Sequence, residues 1–131
     1  MGGGTNHRMS LSDAALIKDN HIAAAGGVRQ AFSAVRSAFP QAPIEIEVDT
    51  LDQLHDVLAL APDLILLDNM SPAQCAEAVA IVAGVTKLEA SGGITLDSAK
   101  AFAESGVDYI AIGALTHSAA VLDIGLDLRA E

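Results

Sequence analysis

The chain is 131 residues long, room for one domain with a real hydrophobic core and too short for two. Hydrophobic residues make up 51% of it and aromatics only 3%, so the core is aliphatic, a composition that suits helices packed on a buried parallel sheet. Seven Lys and Arg against 17 Asp and Glu give a formal charge of −10, which speaks against nucleic acid or an anionic membrane as partner. No apolar stretch approaches the roughly 20 residues of a membrane span, and the opening MGGGTNHR lacks the apolar run of a secretory signal, so the chain reads as soluble and cytoplasmic.

The scarce cations gather early, in NHRMSLSDAALIKDNHI at 6–22. From there a β-rich run followed by a helical pattern recurs about every twenty residues, the signature of parallel βα units. Strands are expected at 16–21 (LIKDNH), 44–49 (IEIEVD), 64–68 (LILLD), 87–91 (KLEAS) and 109–113 (YIAIG). Helices fit between them at 24–38, 51–60, 72–83 and 96–105. Pro40, Pro43, Pro62 and Gly106 fall between elements, and Pro72 follows Ser71 as at a helix N-terminus. The terminal LDIGLDL offers one more strand. The single Cys75 excludes an internal disulfide and a multi-cysteine metal site, and reads as a buried helix thiol.

Strand parity says more than strand identity. In IEIEVD the apolar Ile44, Ile46 and Val48 alternate with Glu45, Glu47 and Asp49, so one face is apolar and the other carries three carboxylates. An open doubly wound sheet covers both faces with helices and would struggle to bury such a strand. In a barrel the apolar face meets the helices and the polar face points into the lumen. KLEAS repeats the pattern, with Lys87, Glu89 and Ser91 on one face and Leu88 and Ala90 on the other. Five strands, or six with the tail, fall short of a complete barrel. The fold expected is therefore α/β, the C-terminal portion of an incomplete, open α/β barrel with repeated parallel βα units.

Functional groups of such a barrel gather at the C-terminal ends of the strands. Those ends offer Lys18, Asn20 and His21; Glu47 and Asp49; Asp68 and Asn69; Ser91, Gly92 and Gly93; and Gly113. ASGGITLD followed by AIGALTHS suits a paired phosphate site, since glycine lets the backbone approach the ligand and helix-start N–H groups donate to it. Glu47 and Asp68 are candidate magnesium ligands, because hard oxygen donors plus substrate phosphates hold that ion. An interior salt bridge to Lys18 or Lys87 explains the same residues, and spacing leaves the two readings level. His7 and His21 lack zinc-type spacing, and His55, in a polar helical stretch, reads as solvent exposed.

GGGTNHRMSLSDAALIKDNHI, followed in order by EIEVDTLDQL, LILLDNM, LEASGGI, GVDYIAIGALTHS and LDIGLDL, resembles the quinolinate phosphoribosyltransferases, the carboxylating nicotinate-nucleotide pyrophosphorylase family of NAD biosynthesis. The resemblance implies an N-terminal α/β domain joined to an open α/β barrel, assembled at least as a dimer. Residues 1–131 would then be part of the barrel, with the N-terminal domain and first barrel units absent. It implies that His7, Arg8 and Lys18 bind quinolinate and phosphoribosyl pyrophosphate, and that Glu47 and Asp68 lie near the ribose and a magnesium pyrophosphate. Lys18, Glu47 and Asp68 become the catalytic candidates. Ser91, Gly92, Gly93, Gly113 and His117 match the loops that hold the 5′-phosphate.

That chemistry suits those residue types. Departure of pyrophosphate develops positive charge on the sugar, which carboxylates stabilise, and negative charge on the leaving group, which Mg²⁺ and cations stabilise. Arg8 can hold one quinolinate carboxylate in a bidentate fork while Lys18 and His7 add positive charge. The cations are few for such anionic substrates, so the chain alone is expected to show little catalysis. Two other readings compete: a truncated remnant that binds phosphate or a partner subunit, and a Schiff-base aldolase using Lys18. The carboxylates around Lys18 would keep it protonated and so weigh against the aldolase.

Overall fold

The computed structural model describes residues 3–8, 10 and 13–118. Five strands form one parallel sheet in the order of the chain: β1 (Ala15–Ile17), β2 (Ile44–Val48), β3 (Leu64–Asp68), β4 (Lys87–Ser91) and β5 (Tyr109–Ile110). The helices are α1 (Asp19–Ala25), α2 (Val28–Ala38), α3 (Leu51–Leu58), α4 (Pro72–Val82), α5 (Leu96–Glu104) and the short α6 (Ala114–His117). A parallel sheet with strands in sequence order, each joined to the next through helix, is the wall of an open α/β barrel.

The helix starts follow from local chemistry. Thr50, Ser71 and Thr95 each cap a helix with a side-chain oxygen, and the side chain three positions on accepts a hydrogen bond from the cap backbone N–H. Pro72 occupies the first turn of α4, where its missing N–H costs nothing. Aspartates bind the sheet at its other end. Asp63 Oδ2 accepts from the Ile44 N–H at 2.8 Å, and Asp108 Oδ2 accepts from the Leu88 N–H at 2.9 Å. In each pair the aspartate N–H returns a bond to the carbonyl of the same partner.

The parity expectation holds. Ile44, Ile46, Val48, Ile65, Leu67, Leu88 and Ala90 are buried with Leu54, Val57, Cys75, Ala78, Val82 and Phe102 from the helices in one apolar cluster. Cys75 is fully buried in α4, and His55 is exposed on α3, as expected. The opposite faces of the strands carry Glu45, Glu47, Leu66, Asp68, Glu89 and Ser91.

Three boundaries differ from the expectation. The strand expected at 16–21 ends at Ile17, and Lys18 instead opens α1. Its backbone N–H donates to His21 Nδ1 at 3.0 Å and Asp19 sits in the first helical turn, so a stretch polar enough for either state forms a capped helix. The helix expected at 24–38 is two helices, because Gly26 (φ +82°) and Gly27 (φ +145°) adopt conformations a continuous helix cannot contain. The strand expected at 109–113 stops at Ile110, and Gly113 caps α6, a helix the sequence did not suggest. LDIGLDL lies outside the described residues.

Candidate functional site

A cavity of about 600 Å³ opens on the polar face of the sheet and is bordered by His7, Arg8, Ser10, Leu16, Lys18, Glu47, Leu66, Asp68, Glu89, Ser91 and Ala111. The parallel register brings the carboxylates together: Glu47 stands beside Leu66, Leu66 beside Glu89, and Asp68 beside Ser91. His7 and Arg8 come from the segment that precedes β1, and Lys18 from the junction of β1 and α1. Six of the expected site residues, His7, Arg8, Lys18, Glu47, Asp68 and Ser91, thus border one space.

Lys18 Nζ donates to Glu47 Oε2 at 2.6 Å. This bond raises the lysine pKa above its ordinary value; the charges of Glu47, Asp68 and Asp19 act in the same sense and partial burial opposes them. The interior salt bridge considered for Glu47 is therefore present, and its partner is Lys18. Lys87 lies at the other end of its strand, where Nζ donates to the Tyr109 hydroxyl at 3.0 Å. Asp68, at the end of β3, accepts from Asn69 Nδ2 at 2.6 Å.

His7 lies between two buried carboxylates. Nε2 is 2.9 Å from Glu45 Oε2, and Nδ1 is 3.0 Å from Glu89 Oε1. Burial pushes the Glu45 carboxyl above its usual range and the Glu89 charge adds to this, while His7 and Arg8 oppose it. Glu45 Oε1 is buried without a hydrogen-bond partner among the described residues. Glu45 and Glu89 were not among the expected site residues. Their signal was already visible in strand parity, which put both on the lumen face.

The loops after β3 and β4 interlock. The Asn69 N–H donates to the Ser91 carbonyl at 3.0 Å, with Asn69 in the left-handed region at φ +54°. Gly92 has φ +94°, and a Cβ there would lie 2.7 Å from the Asn69 backbone nitrogen. Gly92 and Gly93 continue from Ser91 on the cavity rim without bordering the cavity. Gly113 caps α6 and His117 ends it, both exposed and also outside the cavity border. At the start of α5 the Ser98 N–H donates to Thr95 Oγ1 and the Thr95 N–H to Ser98 Oγ, so these two donors are already engaged. Among the other strand-end residues, His21 caps α1, Asn20 lies within it, and the Asp49 N–H donates to Gln53 Oε1; none of the three borders the cavity.

Comparison with known proteins agrees with this architecture. The model of the family described as "Quinolinate phosphoribosyl transferase, C-terminal domain" matches residues 1–127. The chain is 56% identical over 131 residues to the nicotinate-nucleotide pyrophosphorylase [carboxylating] of Mycobacterium leprae, covering 98% of this chain and 46% of that protein. It is 44% identical over 128 residues to a probable nicotinate-nucleotide pyrophosphorylase [carboxylating] of Bacillus subtilis, covering 97% and 44%. The solved nicotinate-nucleotide pyrophosphorylase of Francisella tularensis superimposes with a TM-score of 0.84 at 43% identity, over 88% of this chain and 41% of that one. The chain thus spans less than half the length of these relatives.

Proposed function

We propose that this chain, which belongs to the quinolinate phosphoribosyl transferase C-terminal domain family, supplies one wall of a site for phosphoribosyl transfer. The reaction takes quinolinate and phosphoribosyl pyrophosphate to nicotinate mononucleotide, pyrophosphate and CO₂. The observation that carries this reading is the meeting of Arg8 and Lys18 with Glu47 and Asp68 around one cavity at the C-terminal ends of β1 to β3. Cations for a dicarboxylate and carboxylates for a developing sugar cation are what the transfer needs.

Arg8 offers a planar fork to a pyridine carboxylate, and Lys18, kept charged by Glu47, adds a fixed positive charge beside it. Glu47 and Asp68 stand on adjacent strands and can stabilise positive charge on the ribosyl carbon as pyrophosphate leaves. Once the ring nitrogen is ribosylated, the cationic pyridine accepts the electrons released as CO₂ departs, so positioning and charge suffice without a covalent nucleophile.

The donor set fits magnesium. One oxygen of Glu47 faces Lys18, which leaves the second together with the Asp68 carboxylate, and an ion of this type takes its remaining oxygens from pyrophosphate and water. When bound there it would supply positive charge against the leaving group. Ser91 on the cavity border, Gly92 and Gly93 that follow it, and Gly113 and His117 at the two ends of α6 are proposed to hold the 5′-phosphate.

In this proposal residues 1–131 are part of a larger open barrel, and the edges of β1 and β5 that no described strand pairs are where further barrel strands would pair. We further propose a cytoplasmic homo-oligomer, at least a dimer, that takes small molecules; the charge of −10 weighs against nucleic acid and an anionic membrane as partners, and no described helix is long and apolar enough to cross a membrane. The aldolase alternative requires a neutral amine, and the raised pKa of Lys18 works against it.

The test joins this chain to the preceding half found in its relatives and supplies both substrates with Mg²⁺. Release of CO₂ and appearance of nicotinate mononucleotide are expected, with little turnover by the chain alone. Absence of product from the joined protein overturns the reading.

A further inference from the structure

An anion cavity with two buried carboxylates beneath it poses an electrostatic problem. Side chains of Glu45 and Glu89 are only 5% and 8% exposed, and uncompensated they would repel a dianionic ligand and be costly to bury. His7 stands between them. It bridges β2 and β4 across the intervening β3, with one ring nitrogen against each carboxylate.

A carboxylate only accepts, and each imidazole nitrogen offers either one N–H or one lone pair. With Nε2 2.9 Å from Glu45 and Nδ1 3.0 Å from Glu89, a protonated ring donates both of its N–H groups downward into the protein. Neither remains for a ligand in the cavity. The ring is nonetheless part of the cavity border, with 31% of its side chain exposed. Its charge is felt by a ligand even though its donors are engaged. The other charged groups around the space are Arg8 beside it, Glu89 beneath it, and Lys18, Glu47 and Asp68 along the wall.

We propose that Glu45 and Glu89 are positioning residues that engage both ring nitrogens of His7, so that His7 serves the cavity's anionic ligand through its charge and not as a hydrogen-bond donor. The second half of this statement rests on the dicarboxylate reading given above. Arg8 and Lys18 are then the direct anchors, and His7 with its two glutamates forms a rigid floor of reduced negative charge.

Nuclear magnetic resonance of the full chain, uniformly labelled with nitrogen-15, tests this. Two ring N–H signals of His7 protected from solvent exchange are expected. Glu89→Leu should expose the Nδ1 signal and Glu45→Leu the Nε2 signal. A wild-type ring with either N–H unprotected overturns the positioning role, whether or not the variants fold. Adding quinolinate should leave both ring N–H groups on their glutamates while the Arg8 and Lys18 side-chain signals shift; transfer of either ring N–H to the ligand overturns the proposal. Affinity for quinolinate should fall several-fold in His7→Asn, which removes the charge while keeping a polar side chain of similar size. An unchanged affinity in that variant overturns the charge role. Protected ring signals without quinolinate binding at any pH leave the positioning role standing and overturn the dicarboxylate reading, so the two failures are distinguishable.

Discussion

Lys18 Nζ and Glu47 Oε2 lie 2.6 Å apart, a hydrogen-bonded ion pair that joins the end of β1 to the lumen face of β2. The bond ties the one lysine on the cavity border to a carboxylate on the same border. It keeps the amine charged, and so fits Lys18 for holding anions and unfits it for nucleophilic attack. Borohydride reduction in the presence of aldehyde or keto sugar phosphates should therefore leave Lys18 unmodified, as read by peptide mass. The sign of its pH dependence follows from the raised pKa: the pair's contribution is present below the ordinary lysine value and is lost as pH rises through the higher folded value. Lys18→Met should weaken quinolinate binding by roughly tenfold, the usual scale for one charge-assisted contact, measured by titration calorimetry at neutral pH.

Gly92 faces a tighter constraint than Gly93. Both have positive φ, but only at Gly92 would a Cβ meet backbone, at 2.7 Å from the Asn69 nitrogen. Gly92→Ala must pay left-handed strain and also push apart the loops joined by the Asn69 to Ser91 bond. It should cost about 2 to 3 kcal/mol, against about 1 kcal/mol for Gly93→Ala. Urea unfolding of the two variants measures the difference. Equal losses would show that the interlock of the loops contributes nothing beyond backbone strain.

The polar face of the sheet was legible from the sequence and its pairings were not. Alternation in IEIEVD and KLEAS follows from the two-residue period of a strand, so the burial of Ile44, Ile46 and Val48 and the lumen position of Glu45 and Glu89 could be read directly. That His7 sits between those glutamates depends on how an irregular segment folds back over the sheet, and no local pattern encodes it. The LIKDNH stretch misled because period-two reasoning continued through Lys18 into residues whose side chains cap a helix. Gly26 and Gly27, which divide α1 from α2, were the available sign that the expected long helix breaks. Gly92 reads as a loop glycine from the sequence, but its need for close approach to Asn69 is a contact between two loops far apart in the chain. Of the residues in the two glycine loops, only Ser91 borders the cavity.

Asp63 connects stability to acid at the opposite end of the sheet. Its Oδ2 accepts from the Ile44 N–H at 2.8 Å and from Arg36 Nη2 at 3.0 Å. The backbone bond from Ile44 is the main reason its carboxyl titrates below the ordinary aspartate value, with Arg36 adding to the effect and desolvation opposing it. A lowered folded pKa contributes stability that is present above the unfolded value and is lost as pH falls through the folded one. Half of the Asp63 side chain is exposed, so solvent screens the ion pair and the backbone bond is the larger part of the effect. Asp63→Ala removes the acceptor from the first N–H of β2 and should destabilise the chain by about 1 kcal/mol at neutral pH. In acid, once the wild-type carboxyl is protonated, the gap between wild type and variant should narrow. Urea unfolding of both proteins at neutral pH and below the ordinary aspartate range checks this; a gap that stays constant would mean that the lost stability comes from packing and not from the carboxylate.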